Sequence, residues 1–447
     1  MKIIDHEIKR YILRVKEFKR KSDDLENMQG MPEYEEMAEH MRKEERKLAV
    51  MVKKQEKVLF VAFHLLLNLA EDLQIERKMK NRQIISQLIS MLDRNNPDLL
   101  FIVLNFLKKL SIFGENKTEM KDCGIVEKLN RFIPCNNQLL LQIALRLLFN
   151  LSFDSDIRLQ INEQGMIPKL VEILKAPGFR ALILKLLYHM SQEDKIKANF
   201  TYTECIPLVY QLIIHCPEPI VGKELVALAV NLTTNPRNAE LIAQDDQHRQ
   251  LIERAFKFRD TLLFKVCRNV AQFHPPSLEL LEEYMDRYIE LAQQSDDHTD
   301  LLLELLGTMV YMPTDKWAEK IEQWSMIEFL HNHLMNGCAE DDIVLECVML
   351  VGTICRNDEI AQTIASSYLI KLLQDLLGSK QEDDEMVQQI LNTFFKFLFF
   401  GPTRDIVLHQ TQMVSIVLEL LSDKNPNIRV LVNAILDYVQ IHDDNWK

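Results

Sequence analysis

Glycine and tryptophan are scarce in this sequence, and several familiar patterns are missing from it. The 447 residues include 11 glycines and 3 tryptophans. So few glycines argue against a β-sheet protein built on tight turns and favour a helical one. No apolar run reaches the roughly 18–20 residues that cross a membrane, and the first residues show no signal-peptide pattern. We therefore predict a cytosolic helical protein that does not insert directly into membranes.

Motifs for catalysis, cofactors and metals are also missing. There is no phosphate-binding G-x-x-x-x-G-K loop, no G-x-G-x-x-G and no H-E-x-x-H. His331 and His333 are two residues apart, so on a helix they point about 200° apart and cannot share one metal ion. The eight cysteines form no C-x-x-C pair, and we predict that they are reduced, buried and inert. The sequence thus predicts no catalytic residue, no cofactor, no metal site and no enzymatic activity.

Positive charge is in deficit as well. The net charge is −13, whereas nucleic-acid binding needs a basic surface, so we predict no nucleic-acid partner. Acidic residues concentrate at 340–342 and 382–385, without the alternating spacing and the glycine of a calcium loop. We interpret these clusters as solvated loops between helices, although their charge would also attract a basic segment.

What the sequence does contain is a repeat. An Asn-Leu-Ser/Ala/Thr signature, once in the form Asn-Val-Ala, ends a long apolar run at Asn68, Asn150, Asn231 and Asn269. The same slot in the other repeats holds Lys109, His189, Thr308, Thr353 and Lys396. Successive slots are 38 to 45 residues apart, and a helical period of roughly 40–47 residues is typical of armadillo and HEAT repeats. We therefore predict an all-α armadillo-repeat solenoid, a right-handed superhelix of about nine repeats, and solenoids mostly bind other molecules.

Turn residues mark the expected helix boundaries within the repeats. Gly165 allows a sharp bend between a first and a second helix, and Gly124 occupies the same place 41 residues earlier. Pro97 and Pro426 each follow an asparagine and mark the start of a third helix.

Three segments follow from this pattern. Residues 1–55 are predicted to form an amphipathic helical hairpin, with a first helix over 1–22, a loop over 23–31 and a second helix to about Gln55. Residues 56–442 are predicted to form the armadillo solenoid, and residues 443–447 a short truncated tail. Because neither end carries the polar cap that a solenoid needs, we expect the chain to be part of something longer.

The third helices are expected to line the concave groove of such a solenoid. Their slot asparagines either hold the backbone of an extended ligand or bond to backbone groups of the neighbouring repeat, and the sequence leaves both interpretations open. The cations near the slots predict a basic groove centre, suited to an acidic peptide or to a helix that bears carboxylates. The candidate partner-binding residues are Asn68, Asn105, Lys108, Lys109, Arg146, Asn150, Lys185, His189, Asn231, Lys265, Arg268 and Asn269.

Several sequence segments within the repeats are more specific than an armadillo fold requires. Three long strings are Leu-Leu-Leu-Asn-Leu-Ala-Glu-Asp at 65–72, Phe-Leu-Lys-Lys-Leu-Ser-Ile-Phe at 106–113 and Arg-Leu-Leu-Phe-Asn-Leu-Ser-Phe-Asp at 146–154. With shorter strings at 3–10, 52–56, 125–129, 202–207 and 381–385, the chain resembles the kinesin-associated protein family along essentially its whole length.

The resemblance implies a non-motor accessory subunit of heterotrimeric kinesin-II. Such an adaptor binds the C-terminal tails of the two motor subunits and links the motor to cargo adaptor proteins. It acts in intraflagellar and cytoplasmic transport, which implies a place in the cytoplasm, on the microtubule cytoskeleton and in the cilium or flagellum.

A more general interpretation is an importin- or catenin-like scaffold whose groove binds an acidic peptide. The regular asparagine ladder of those proteins is incomplete here, because four of nine slots hold asparagine. The tryptophans expected in such a groove are also missing, since the three present are Trp317, Trp324 and Trp446.

Overall fold

The computed structural model describes residues 2–27, 34–244, 246–295, 297–335 and 337–442, with the backbone alone at 73 and 442. Within these ranges the chain is helical and contains no strand, which confirms the predicted all-α class. The chain divides between Cys205 and Ile206 into two compact units. We call them unit 1 and unit 2 and describe each by itself. Residues 28–31 of the loop predicted over 23–31, and the predicted tail at 443–447, lie outside the described residues.

Unit 1 holds twelve helices within its described residues. They are α1 (Lys2–Asn27), α2 (Tyr34–Leu69), α3 (Leu73–Lys80), α4 (Ile84–Met91), α5 (Pro97–Leu110), α6 (Gly114–Asp122), α7 (Ile125–Leu129), α8 (Gln138–Leu151), α9 (Ser155–Glu163), α10 (Met166–Leu174), α11 (Arg180–Met190) and α12 (Asp194–Phe200).

Unit 2 continues the same order. Its helices are α13 (Cys205–Ile214), which starts at the boundary, α14 (Lys223–Thr233), α15 (Pro236–Ala243), α16 (Gln247–Phe258), α17 (Thr261–Phe273), α18 (Pro275–Glu283), α19 (Met285–Gln293), α20 (Thr299–Met309), α21 (Trp317–Gln323), α22 (Met326–Leu334), α23 (Asp341–Ile354), α24 (Asp358–Ala365), α25 (Leu369–Ser379), α26 (Asp384–Phe397), α27 (Gly401–His409), α28 (Met413–Glu419) and α29 (Pro426–His442).

In chain order, the described helices α3 to α29 form nine triplets of a first, a second and a third helix. This number agrees with the predicted count of about nine repeats. The third helices are α2, α5, α8 and α11 in unit 1 and α14, α17, α20, α23, α26 and α29 in unit 2. Each slot of the sequence signature lies near the end of a third helix, so the signature marks where that helix stops.

Five of the turns between first and second helices share one backbone conformation. Gly124 and Gly165 have φ values of 72° and 63°, in the left-handed region that glycine adopts without strain, which confirms the predicted bends. Gln83, Asp246 and Ser325 take the same conformation with φ between 48° and 63°. At these three turns the left-handed geometry is therefore kept without a glycine, whereas the turns at Tyr284, Tyr368 and Gln412 have negative φ values.

Asparagine and proline begin the third helices as predicted. The Oδ1 atom of Asn96 accepts hydrogen bonds from the backbone N–H groups of Asp98 and Leu99, both at 3.1 Å. Asn137 caps α8 in the same way. Because the first N–H groups of a helix have no partner within it, such a side chain stabilises the start of the helix by about 1 kcal/mol.

The N-terminal hairpin differs from its predicted bounds. Helix α1 continues to Asn27, five residues beyond the predicted end at 22. Helix α2 runs without a break from Tyr34 to Leu69, so the predicted helix end near Gln55 is wrong. No glycine or proline interrupts that stretch, and the helix has no reason to stop there. The domain division at 55/56 stays a prediction, and it falls inside a continuous helix.

Contacts at the start of α1 hold it against α2 and the first repeat. Ile4 and Ile8 are buried. The side-chain amide of Gln55 donates to the Glu7 carboxylate at 3.1 Å, and the Arg94 guanidinium lies 3.3 Å from the centre of the Tyr11 ring. The cation above the ring and the buried isoleucines together fix the angle at which α1 meets the repeats.

The two acidic clusters lie at helix starts as well as in loops. Asp341 and Asp342 are in the first turn of α23, and Asp384 and Glu385 are in the first turn of α26. Asp383 accepts hydrogen bonds from two backbone N–H groups at 3.1 Å and caps α26. Carboxylates are stabilised at a helix N-terminus by its partial positive charge, so these acids have a structural role in unit 2.

Candidate partner-binding surface

All twelve candidate residues lie on third helices. In unit 1, Asn68 is on α2, Asn105, Lys108 and Lys109 are on α5, Arg146 and Asn150 are on α8, and Lys185 and His189 are on α11. In unit 2, Asn231 is on α14, and Lys265, Arg268 and Asn269 are on α17. The predicted set is thus divided between the two units, and each part is described separately.

The slot asparagine of α8 bonds to the preceding repeat. The amide nitrogen of Asn150 donates to the carbonyl oxygen of Lys108 at 3.1 Å and to Ser111 Oγ at 3.0 Å. Both amide hydrogens are used in these bonds. In Asn150, therefore, the bond between repeats, one of the two interpretations left open by the sequence, is formed.

The slot asparagine of α17 repeats this arrangement in unit 2. Asn269 donates to the carbonyl oxygen of Val230 and to Thr233 Oγ1, both at 3.2 Å. Its acceptors occupy the same positions, relative to the preceding slot at Asn231, as Lys108 and Ser111 do relative to Lys109. In both cases, therefore, the third residue of one signature accepts a hydrogen bond from the first residue of the signature in the next repeat.

Slots without asparagine make related contacts. The Lys109 ammonium lies 3.5 Å from the Leu67 carbonyl oxygen, and Thr353 Oγ1 donates to the Val310 carbonyl oxygen at 3.3 Å. These side chains differ in length and charge, yet each has a donor that reaches a carbonyl of the third helix before it. At these two slots the contact to the preceding repeat is made by a donor that is not an amide, whereas Thr308 donates to the Glu304 carbonyl oxygen of its own helix.

His189 fills its slot through an imidazole. Its Nδ1 lies 2.7 Å from Ser152 Oγ, and Ser152 Oγ already donates its hydrogen to the Phe149 carbonyl oxygen at 2.8 Å. Because the hydroxyl has a single hydrogen and gives it to Phe149, His189 Nδ1 is the donor in the bond to Ser152 Oγ. Burial, and then the charges of Arg158 and Lys117, lower the pKa of His189, which favours the neutral ring at neutral pH.

An aromatic cluster surrounds His189, and sequence reasoning did not place it among the candidates. The Phe149 ring stacks on the imidazole at 5.0 Å, and the Phe153 ring meets it edge-on at 4.4 Å. Phe153 is 60% exposed, and Lys117 Nζ lies 5.3 Å from the centre of its ring. The signal was present in the sequence, since a phenylalanine directly after Asn-Leu-Ser is not needed to end the helix.

Two cations of unit 1 face solvent without an acidic partner. Arg146 is exposed and Lys108 is half-buried, and neither forms an ion pair with a described residue. Lys185 is also exposed. With Phe149, Phe153 and His189 these residues form what we call the third-helix surface of unit 1. It offers positive charge and aromatic rings on neighbouring helices.

The corresponding cations of unit 2 form ion pairs. Lys265 Nζ lies 3.3 Å from Glu304 Oε1, and an Arg268 Nη lies 3.1 Å from Glu304 Oε2. Glu304 is buried on the next third helix, α20. Both of these cations of the expected basic groove are therefore already paired with Glu304, which lies four residues before the next slot.

A glycine and a second glutamate complete this cluster. A Cβ atom at Gly307 would lie 2.1 Å from an Arg268 Nη and 3.1 Å from Glu346 Oε1, so the glycine leaves the space that the guanidinium fills. Burial raises the pKa of Glu346 to about 7, with a further rise from Glu304 that Arg268 opposes. Near neutral pH this carboxyl is thus partly protonated.

Histidines and cysteines outside these surfaces have structural surroundings. His333 Nδ1 bonds to the Phe329 carbonyl oxygen at 2.9 Å. In the ranges that the structure describes, no three metal-binding side chains come together as a metal site. All eight cysteines are free, but Cys338 is exposed, so the prediction that all are buried is wrong. Burial raises the pKa of Cys205 to about 12, which keeps its thiol protonated.

Two tryptophans that the sequence left unassigned stabilise α21 and its neighbours. Trp317 is fully buried, and its indole N–H donates to the Met312 carbonyl oxygen at 2.8 Å. The Trp324 indole N–H donates to the Asp286 carboxylate at 2.8 Å. Neither lies on a third helix.

Among the described helices none combines the length and the apolar character needed to cross a bilayer.

Comparison with known proteins gives one family and two structural likenesses. The family model described as kinesin-associated protein (KAP) matches residues 1–447. A crystal structure of an engineered protein is similar with a TM-score of 0.67 at 13% identity, over 87% of this chain and 95% of that chain. A structure from a study of a phosphorylation switch between cadherin and beta-catenin is similar with a TM-score of 0.62 at 15% identity, over 85% and 82% of the two chains. At these identities the likeness shows the fold alone, and it confirms the armadillo class.

Proposed function

Since this chain belongs to the kinesin-associated protein family, we propose that it is a non-catalytic adaptor for heterotrimeric kinesin-II. In this proposal it binds the C-terminal tails of the two motor subunits, forms a heterotrimer with them and links them to cargo adaptor proteins. It works in microtubule-based transport, both cytoplasmic and intraflagellar, and is located in the cytoplasm, on microtubules and in the cilium or flagellum. The observation that carries the proposal is the family match over the whole chain.

The third-helix surface of unit 1 supports a role in binding. Arg146 and Lys108 offer charge that no described acidic group neutralises, and Phe153 offers an exposed ring that meets His189 edge-on. Complementary charge speeds association and selects partners, whereas buried aromatic rings contribute most of the affinity at many interfaces. We therefore propose that an acidic segment of a motor tail, carrying at least one apolar side chain, binds here.

A titration with the two motor tail segments tests this proposal. The double substitution Lys108→Glu and Arg146→Glu should weaken tail binding at least tenfold at low salt and should flatten the salt dependence. Lys195→Glu is the matched control, because Lys195 is an exposed cation of α12, away from the third helices. Equal losses in the two variants, or no tail binding by the folded wild-type chain, would count against the proposal.

A general armadillo scaffold for acidic peptides remains the second candidate, because the same surface would accept any peptide of suitable charge. An unrelated peptide with the composition of the tail but a scrambled sequence separates the two candidates. Equal affinity for both peptides favours the general scaffold, and a clear preference for the tail favours the motor adaptor.

A further inference from the structure

Unit 2 contains an open groove between two successive repeats. Residues of α21 and α22 line it together with residues of α24 and α25, and its volume is about 700 Å³. Its apolar lining includes the buried side chains of Ile321, Ile360 and Leu369. Further repeats pack on both sides of it, because Lys320 of α21 pairs with Asp286 of α19 at 3.0 Å and α24 packs against α27. The groove therefore lies inside the row of repeats and does not arise from an end of the chain.

Three glutamates on this groove form no ion pair within the described residues. Glu322 of α21, Glu328 of α22 and Glu359 of α24 are exposed, and their side chains also form no hydrogen bond with a described residue. Like charges around one groove repel one another and create a negative potential that attracts a cation. The groove thus combines an apolar lining with negative charge that has no opposite charge beside it.

The second helices of the two preceding repeats carry arginine where α22 carries Glu328. The guanidinium of Arg249, the third residue of α16, lies 3.0 Å from the Glu283 carboxylate of the next repeat. The guanidinium of Arg287, the third residue of α19, lies 2.9 Å from the Glu253 carboxylate of the repeat before it. The third residue of α22 is Glu328. A position that joins repeats elsewhere in unit 2 therefore has the opposite charge here.

The cations of the two repeats that form the groove have contacts elsewhere. Residues 313–380 contain five lysines and arginines. Four of them form the ion pairs Lys316–Glu282, Lys320–Asp286, Arg356–Asp315 and Lys380–Asp341. The fifth, Lys371, lies 5.3 Å from the centre of the Tyr368 ring and forms no ion pair with a described residue. Since these repeats supply no cation to the three glutamates, a cation of a partner can pair with them.

Two rings on the groove favour one kind of cation. Tyr368 is 53% exposed and His331 is half-buried, and the centres of their rings are 6.5 Å apart. A guanidinium is planar and weakly hydrated, so it stacks on an aromatic ring and bonds to a carboxylate through two N–H groups at once. An ammonium group acts as a compact and strongly hydrated charge. The groove is therefore better suited to arginine than to lysine.

We propose that this groove of unit 2 binds a basic segment of a partner protein and that an arginine side chain of the segment occupies it. The guanidinium pairs with the glutamates of the groove, as Arg249 and Arg287 pair with carboxylates in the preceding repeats, and the aliphatic part of the side chain covers the apolar lining. This surface is separate from the third-helix surface of unit 1 and selects a partner of the opposite charge. The inference does not depend on which protein the chain serves as an adaptor.

The probe is a fluorescent peptide of about twelve residues with arginine at every third position and glycine or serine elsewhere. Two further peptides have lysine or the neutral isostere citrulline in place of every arginine. Fluorescence anisotropy with the full chain at low salt should show the arginine peptide binding roughly tenfold more tightly than the citrulline peptide, because only the charged guanidinium pairs with the carboxylates. The lysine peptide should have an intermediate affinity, since it keeps the charge without the stacking.

Substitutions on the full chain locate the binding site. Glu328→Arg introduces the residue type of α16 and α19 and should weaken binding of the arginine peptide by roughly tenfold or more. The matched control is Glu240→Arg, which makes the same change of charge at an exposed glutamate of α15 that has no ion pair with a described residue. The control should change the affinity by less than about twofold, because charges far apart on a surface are screened.

A third variant tests the preference for arginine. Tyr368→Leu should remove the difference between the arginine and lysine peptides while both still bind, because it removes the ring and keeps the carboxylates. Circular dichroism and the melting temperature of all three variants should match those of the wild-type chain.

Several outcomes would overturn the inference. The groove is not the site if the folded wild-type chain binds the arginine peptide no more tightly than the citrulline peptide. The same holds if Glu240→Arg weakens binding as much as Glu328→Arg, because the net charge of the chain then explains the attraction. The assignment to arginine is wrong if the lysine peptide binds equally well or if Tyr368→Leu keeps the full preference. No measurement here uses a motor tail, so these outcomes leave the adaptor proposal unaffected.

Discussion

The third-helix surfaces of the two units use equivalent positions in opposite ways. Arg146 in unit 1 and Lys265 in unit 2 each lie four residues before a slot. Arg146 is exposed and without an ion pair to a described residue, whereas Lys265 lies 3.3 Å from Glu304, which holds the same position on the next third helix. The charge that a repeat presents is therefore set by its neighbour in the row, and a count of cations along the sequence misses this.

The largest expected difference between the units is in the free energy of unfolding that is lost when one cation is removed from each. Arg268→Met leaves Glu304 buried with Lys265 as its remaining cation, and we expect a loss of about 3–4 kcal/mol in the free energy of unfolding. Arg146→Met removes an exposed charge and should change that free energy by about 0.5 kcal/mol or less. Urea unfolding of both variants measures the difference. Equal losses would show that the Glu304 cluster does not stabilise unit 2.

A second test uses the pH dependence of unit 2. The folded-state pKa of Glu346 is raised from 4.5 to about 7, so its stabilising contribution is complete below pH 4.5 and is lost as the pH rises through 7. Since one pKa unit corresponds to about 1.4 kcal/mol and Glu346 is partly exposed, we expect a total loss of about 2 kcal/mol.

Urea unfolding between pH 4.5 and pH 8 measures this dependence. Glu346→Gln removes the titrating group and should flatten the profile by the same amount. Glu328→Gln, at an exposed glutamate of α22, should leave the profile parallel to that of the wild type. A Glu346→Gln profile as steep as the wild-type profile would contradict the assignment.

The smallest effect tests what the two units share. Asn150→Ala and Asn269→Ala each remove two hydrogen bonds to the preceding third helix, so each should cost about 1–2 kcal/mol of unfolding free energy. Asn105→Ala is the control, since the Asn105 side chain forms no hydrogen bond with a described residue, and it should cost about 0.5 kcal/mol or less. A loss of stability for Asn150→Ala but none for Asn269→Ala would mean that the hydrogen bonds between third helices stabilise unit 1 and not unit 2.

Much of the fold could be predicted because the same helix-start and turn residues recur in successive repeats. The helix starts at Pro97 and Pro426 and the bends at Gly124 and Gly165 follow from backbone chemistry that acts within a few residues. The continuous helix through Gln55 was also predictable, since no glycine or proline lies between 34 and 69, but the predicted repeat boundary was wrongly taken as a helix end. The left-handed turns at Gln83, Asp246 and Ser325 could not be predicted, because these residue types do not require that conformation.

The candidate surface was predicted less completely. The slots were located correctly on the third helices, and the sequence named His189 without its stacked Phe149 or the edge-on Phe153. It also proposed ligand contact and bonding between repeats as equal alternatives for Asn150. The bond to Ser111 could not be chosen from the sequence alone, because the two residues are 39 positions apart and meet only when third helices pack side by side.

The period and the row in which each polar residue stands follow from the sequence alone, because these depend on interactions within one or two turns. Which charges remain available to a partner depends on how the third helices pack. Arg268 and Glu304 are 36 residues apart in the chain and 3.1 Å apart in the fold. The energy of two charges depends on that distance and on the water excluded around it, and neither quantity exists before the third helices stack.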